Sequence, residues 1–285
     1  NNIMSILSKL KFCSIIIFSI TFSSSIMGQS EYKIFGHRGC RGLYPENTIV
    51  GFQKAIQMGV DGIEFDVVLN KNLQIIVSHE PYVDTSYCIS NLNQDHSLNI
   101  FEMSLDEIKK IDCGSKYIDR FPNQIKKKEQ KPTYKELEKK LENYNGDLLF
   151  EIKCHPDYVN KYFPDYLTYA KIIDDETKDS PLLKNIIFMS FDWKILNELY
   201  KINSGSKYIF LSEKNDFMKD LDFLTFKPFA LGLNYKIISK SIIDSAHDQN
   251  QLVYAWTVNS AETFKKLIEI NADGIITDYP DKIKK

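Results

Sequence analysis

The segment Gly62-Ile63-Glu64-Phe65-Asp66-Val67 alternates with a period of two, so an extended strand puts Glu64 and Asp66 on one face and Phe65 and Val67 on the other. A second segment, Leu148-Leu149-Phe150-Glu151-Ile152-Lys153, repeats the device and places Glu151 and Lys153 together. Two acids that face inward from a buried strand cannot both stay ionised without a partner, because desolvation and mutual repulsion both oppose their charge. A cation between them is one remedy. An ion-pair network built on Lys153 is the other.

Outward from these strands, short runs rich in Ile, Val and Phe alternate with amphipathic segments from Tyr32 onward. That is the pattern of strands and helices in a parallel α/β sheet or barrel. Strand candidates are 32–38, 61–68, 74–79, 147–153, 185–191, 207–212, 229–235, 252–258 and 273–277. Helices are expected at 45–58, where Pro45 suits a first turn and Gly59 a stop, and at 104–111, 133–144, 193–202, 239–249 and 260–270. The implied fold is α/β, a (β/α)8 TIM-type barrel, with nine strand candidates for eight places. The link from Val68 to Gln74 is shorter than the dozen or so residues of a helical crossover, so 61–68 and 74–79 should join through a tight turn near Asn70 to Asn72. Either the barrel is distorted there or 229–235 lies outside it. Residues 80–132 carry little periodic signal apart from 104–111 and read as an insertion over one end of the barrel, after the third strand.

His37 ends the first strand in Phe35-Gly36-His37-Arg38-Gly39, and His79 ends another in Ile76-Val77-Ser78-His79-Glu80. Strand ends on one side of a barrel form the mouth where its active sites lie. Two histidines there, with Arg38 able to grip a phosphate and with acids nearby, fit general acid/base work on a phosphate ester. Hard oxygen ligands such as Glu64, Asp66 and Glu151 suit Mg2+ or Ca2+ better than zinc.

His37-Arg38-Gly39, Pro45-Glu46-Asn47-Thr48, Glu64-x-Asp66, His79 thirteen residues later and Glu151-x-Lys153 follow one another in an order that resembles the glycerophosphodiester phosphodiesterase family. The likeness continues through Ala255-Trp256-Thr257-Val258-Asn259 and Asp273-Gly274-Ile275-Ile276-Thr277-Asp278, and so spans about residues 32–280. It implies one divalent cation, Ca2+ or Mg2+, on Glu64, Asp66 and Glu151, a substrate phosphate held by Arg38 and Lys153, and His37 and His79 as the acid/base pair. It further implies that Trp256 packs against glycerol, that Glu46 and Asn47 brace the mouth with Glu46 orienting Arg38, and that 80–132 is a small capping subdomain. The expected reaction is hydrolysis of a small-molecule glycerophosphodiester to glycerol 3-phosphate and an alcohol. One departure stands out, since Glu80 occupies the place where the family usually has Asp.

Bulk properties set the remaining bounds. The chain has 285 residues, 43% of them hydrophobic, and a formal net charge of −2. It has no basic stripe of the kind that tracks a nucleic-acid backbone, so nucleic acid is not an expected partner; the Lys126 to Lys131 run reads as a solvated loop. Lys9 and Lys11 precede an uncharged apolar run from Phe12 to Phe22, too short to span a bilayer and followed by Ser23, Ser24 and Ser25. Residues 1–28 therefore read as a signal peptide cleaved near Gly28-Gln29, giving an exported protein with no stable membrane anchor, whose barrel domain is 29–285. Cys40, Cys88, Cys113 and Cys154 then remain, and their three possible pairings are equivalent in sequence. His96, His155 and His247 read as ordinary polar residues and Trp193 as a packing residue. Two rivals are phospholipase D-like or C-like cleavage of intact lipids, for which 80–132 offers no amphipathic membrane-facing helix, and a catalytically inactive barrel, which would lack part of the chemical set found here.

Overall fold

A computed structural model of the chain describes residues 32–92 and 97–283. The expected signal peptide and His96 lie outside the described residues. Strands and helices follow in the order β1 (Lys33–Gly36), α1 (Ile49–Gln57), β2 (Gly62–Leu69), β3 (Ile75–Val77), α2 (Leu105–Ile108), α3 (Tyr134–Lys140), β4 (Asp147–Ile152), α4 (Tyr166–Thr177), β5 (Ile186–Ser190), α5 (Trp193–Ile202), β6 (Lys207–Ser212), α6 (Met218–Leu221), β7 (Ala230–Asn234), α7 (Lys240–Asp248), β8 (Leu252–Trp256), α8 (Ala261–Glu269) and β9 (Gly274–Thr277). Eight strands are parallel neighbours in the circular order β1-β9-β8-β7-β6-β5-β4-β2, closed by the pairing of β1 with β2. This is the expected TIM-type barrel. Segment 229–235 supplies its strand β7, so the alternative that placed it outside is set aside.

The surplus strand is β3, which runs antiparallel to β2. On the edge away from β4, the start of β2 pairs with β1 through Gly62 and Ile63, and its end pairs with β3 through Val67, Val68 and Leu69. β2 therefore overshoots the barrel, and β3 returns beside the overshoot. The Ser78 N–H donates to the Asp66 carbonyl at 2.9 Å, which brings the next residue, His79, back to the barrel rim beside Asp66.

Period-two alternation sorts the side chains as expected. Phe65, Phe150, Phe188 and Tyr208 form a ladder with ring centroids 5.2, 5.4 and 5.8 Å apart, on the helix-facing surface. Each such buried ring contributes about 1.5–3 kcal/mol of apolar transfer energy. The barrel interior is plugged by Phe35, Leu149, Ile187, Ile209 and Tyr254. Glu64 is in register with the inward Leu149, so it lies level with this apolar floor, and Asp66 and Glu151 are paired two residues nearer the C-terminal end of their strands.

Helix α1 is shorter than the expected 45–58. The Thr48 hydroxyl accepts from the Gly51 N–H as N-cap, and Asn47 has φ of 53°, so Pro45 to Asn47 form a loop at the rim rather than a first turn. The insertion has its own core, including Val83, Ile100, Met103 and Ile108, packed on Val68 and Ile76 of the hairpin. A disulfide joins Cys88 to Cys113, while Cys40 and Cys154 are free. Lys131 departs from the expected solvated loop, because its side chain is buried while Lys126, Lys127 and Lys128 are exposed. Among the described residues no helix is long and apolar enough to cross a membrane.

Candidate active site

His37, Arg38, Glu64, His79, Glu151, Lys153 and Trp256 line one cavity of about 190 Å3 at the C-terminal end of the barrel strands. Arg41, Arg120 and Phe191 line it as well. Glu46, Asn47 and Asp66 stand behind this wall and hold its parts in place.

The turn after β1 delivers the first group. Arg38 has φ of 48°, an uncommon left-handed conformation for a residue with a Cβ, and Gly39 follows with φ of 85°. A Cβ on Gly39 would lie 2.7 Å from the Gly51 backbone, so only glycine lets this turn close on helix α1. In this conformation the Arg38 N–H donates to Glu64 Oε2 at 2.8 Å. Its guanidinium donates through Nη1 to Glu46 Oε1 at 2.7 Å and lies 3.4 Å from Asp66 Oδ2 through Nε. Asn47 Nδ2 donates to the same Asp66 oxygen at 2.8 Å. Glu46 and Asn47 thus orient the arginine and an acid of the cluster from behind.

Glu64, Asp66 and Glu151 are all buried and present ligand oxygens within 4.8 Å of one another. Burial, then the charges of Asp66 and Glu151, push the Glu64 carboxyl well above its ordinary value. Burial also raises Glu151, against the charge of Lys153. Burial would raise Asp66 as well, yet the charges of His79, Arg38 and Lys153 hold it below its ordinary value. Lys153 Nζ sits 2.5 Å from Glu151 Oε1 and 3.7 Å from Asp66 Oδ1. One lysine does not satisfy the cluster: Glu64 Oε1 and Asp66 Oδ1 are buried and have no hydrogen-bond partner. Buried oxygens of this kind are costly unless a ligand completes them. A divalent cation with oxygen preference fits the donor set.

Each histidine is anchored through Nδ1 to a carboxylate, which leaves Nε2 for the cavity. His37 Nδ1 is 2.6 Å from Asp278 Oδ1, and its Nε2 is 3.8 Å from Glu64 Oε2. Burial, then the charge of Arg41, lower His37 to about 4 in spite of Asp278. His79 Nδ1 is 2.6 Å from Glu80 Oε1. Trp256 donates its Nε1 hydrogen to the Gly232 carbonyl at 3.0 Å and meets Phe191 edge-on at 5.4 Å, which makes an aromatic wall beside Lys153.

Asp278, Arg41, Phe191 and Arg120 were not assigned roles from sequence. Asp278 carried a usable signal, because it follows β9 directly and an acid at the C-terminal end of a barrel strand sits at the mouth. The other two described histidines, His155 and His247, have other partners. His155 Nδ1 accepts from the Asp157 N–H at 3.3 Å, and His247 Nε2 is 2.8 Å from Asp273 Oδ2. Trp193 stacks on Phe223 at 5.0 Å.

The model of the glycerophosphoryl diester phosphodiesterase family matches residues 37–282. The chain belongs to that family. It is 32% identical over 260 residues to the Bacillus subtilis protein YhdW, covering 88% of this chain and 96% of that one. A crystal structure from Silicibacter pomeroyi superposes with a TM-score of 0.79 at 25% identity, covering 89% of this chain and 92% of the other. An Oleispira antarctica phosphodiesterase solved with the product sn-glycerol-3-phosphate shares the fold with a TM-score of 0.72 at 21% identity, over 88% of this chain and 94% of the other. As a glycerophosphodiester phosphodiesterase the chain is an enzyme, a phosphoric diester hydrolase.

Proposed function

We propose that this phosphodiesterase hydrolyses glycerophosphodiesters to glycerol 3-phosphate and an alcohol in the presence of a divalent cation, Mg2+ or Ca2+, held by Glu64, Asp66 and Glu151. The observation that carries this reading is the pair of unpartnered buried oxygens, Glu64 Oε1 and Asp66 Oδ1, between two carboxylate-anchored histidines. The cation when bound would offset the acids' repulsion and draw charge from the phosphoryl oxygens. Arg38, braced by Glu46 and Asn47, and Lys153 would hold the non-bridging oxygens. One histidine removes the proton from the attacking hydroxyl through Nε2, and the other gives a proton to the departing alkoxide as the P–O bond breaks. Trp256 would cover the glycerol carbons. A relative solved with sn-glycerol-3-phosphate supports the substrate class.

Residues 1–28 and the Cys88–Cys113 disulfide support an exported enzyme, since such bridges persist in oxidising compartments. N-terminal sequencing of protein recovered from the host's exterior should begin near Gln29. The activity is tested by following glycerol 3-phosphate release from several glycerophosphodiesters; no release from any of them would overturn the reading.

A further inference from the structure

Glu80 divides its two carboxylate oxygens between different partners. Oε1 faces His79 Nδ1 at 2.6 Å, and Oε2 accepts from the Tyr87 hydroxyl at 2.8 Å. The same hydroxyl accepts from Lys131 Nζ at 3.0 Å. The direction of this chain follows from what each group can offer. An ammonium only donates, a phenol donates one hydrogen and accepts on its oxygen, and a carboxylate only accepts. Lys131 therefore donates to Tyr87, Tyr87 to Glu80 Oε2, and the His79 Nδ1 hydrogen to Glu80 Oε1.

Lys131 is only 3% exposed, on a stretch of sequence where its neighbouring lysines reach solvent. Burial pulls its ammonium below the ordinary value, with the charges of Glu80 and Glu46 opposing. A buried amine is costly where an apolar side chain would fill the same space, so its retention calls for a polar task. Tyr87 is also buried, and it is adjacent to Cys88, whose bridge to Cys113 ties this segment into the insertion. Hydrogen bonds in series polarise one another, so an ammonium at one end strengthens the hold on the carboxylate at the other. The short strand β3 ends at Val77, so Glu80 lies beyond the paired strands, where the charge of Arg38 at the barrel rim also acts on it.

We infer that Lys131 and Tyr87 are positioning residues for His79, acting through Glu80 to keep a hydrogen on Nδ1 and the Nε2 atom free for the cavity. The inference rests on His79 being one of the two proton-transfer groups proposed above. It gives Glu80 a reason for its length, since one carboxylate must reach the imidazole and the phenol together. Proton transfer then takes place at Nε2 alone, and the Nδ1 hydrogen stays shared with Glu80.

The test compares Tyr87→Phe and Lys131→Met with the parent enzyme, alone and in a His79→Ala background. Tyr87→Phe removes one hydroxyl and should lower kcat about tenfold, the scale of one hydrogen bond, with KM changed less than about twofold. In the His79→Ala background neither substitution should reduce kcat further. Nitrogen-15 shifts of His79 should show one tautomer in the parent and a mixture in Tyr87→Phe. Should Tyr87→Phe fail to fold, Lys131→Met carries the same expectation. Parent-like kcat in the folded variants, or an equal loss with and without His79, overturns the inference alone. Undiminished kcat in His79→Ala overturns the inference together with the reading beneath it.

Discussion

His37 hangs from a barrel strand and His79 from the end of a hairpin, and the two are anchored by different means. Asp278, which anchors His37, accepts from His37 and Arg41 through Oδ1 at 2.6 Å each and from Asn259 through Oδ2 at 2.7 Å. Every one of these partners belongs to the rim formed by β1, β8 and β9. Glu80, which anchors His79, depends on Tyr87 and Lys131 from the insertion. The His37 side chain is 11% exposed and that of His79 31%. The closed barrel completes one half of the site from its own strand ends, whereas the half built on an antiparallel return requires added chain.

The largest expected effect treats both halves alike. Chelation should abolish turnover, and Mg2+ or Ca2+ should restore it. Glu64→Gln or Glu151→Gln should weaken metal affinity, read by calorimetric titration, together with activity. Lys153→Ala should raise KM and spare the metal. Full activity in metal-free protein would leave the acids as an ion-pair network. Next in size, His37→Ala and His79→Ala should each lower kcat by about 10^2 or more, the scale of general acid/base catalysis. Near-parent turnover in either would break the pairing of the two halves.

The anchors should separate where the histidines do not. Asp278→Asn takes from buried Arg41 the nearer of its two carboxylates, the other being Glu46 Oε2 at 3.8 Å, and should cost about 2–3 kcal/mol in denaturant unfolding. Glu80→Gln keeps an acceptor for Tyr87 and should cost about 1 kcal/mol. Equal losses would dissolve the contrast between rim and hairpin. The acid limb sharpens it. Burial would raise Glu80, but the hydrogen bond and charge of His79, then Lys131, hold it down to about 2 against an ordinary 4.5. A lowered folded value means stability that is complete above about pH 4.5 and is lost as the pH falls towards 2. Glu80→Gln should flatten that stretch of the stability curve, and an unchanged slope would count against the contact. The smallest effect is expected from His247→Ala, which should leave turnover intact and cost about 1 kcal/mol through its bond to Asp273.

Particular residues show where sequence reading stops. Glu64, Asp66 and Glu151 were legible as one face because the period of a strand is geometric. Lys131 was not, since a lysine at the end of a charge run reads as solvated until the insertion is seen to close over it. Helix α4 at Tyr166–Thr177 gave little signal, with Asp174, Asp175 and Glu176 crowding its C-terminal turn, where the helix dipole disfavours negative charge. Its place was settled by packing, with Tyr169, Ala170 and Ile173 buried against the barrel.

Alone, the sequence determined the barrel class, the inward acids, the strand-end histidines and the family, because local periodicity and short ordered motifs do not depend on what lies far along the chain. Only the tertiary structure decided that β3 is the surplus strand and that His37 meets Asp278, 241 residues away. It alone decided that the Cys88–Cys113 bridge and Lys131 stand behind His79. Those pairings arise from barrel closure and loop burial, where contacts are set by three-dimensional proximity and by the need to satisfy buried polar groups, neither of which leaves a mark in local spacing.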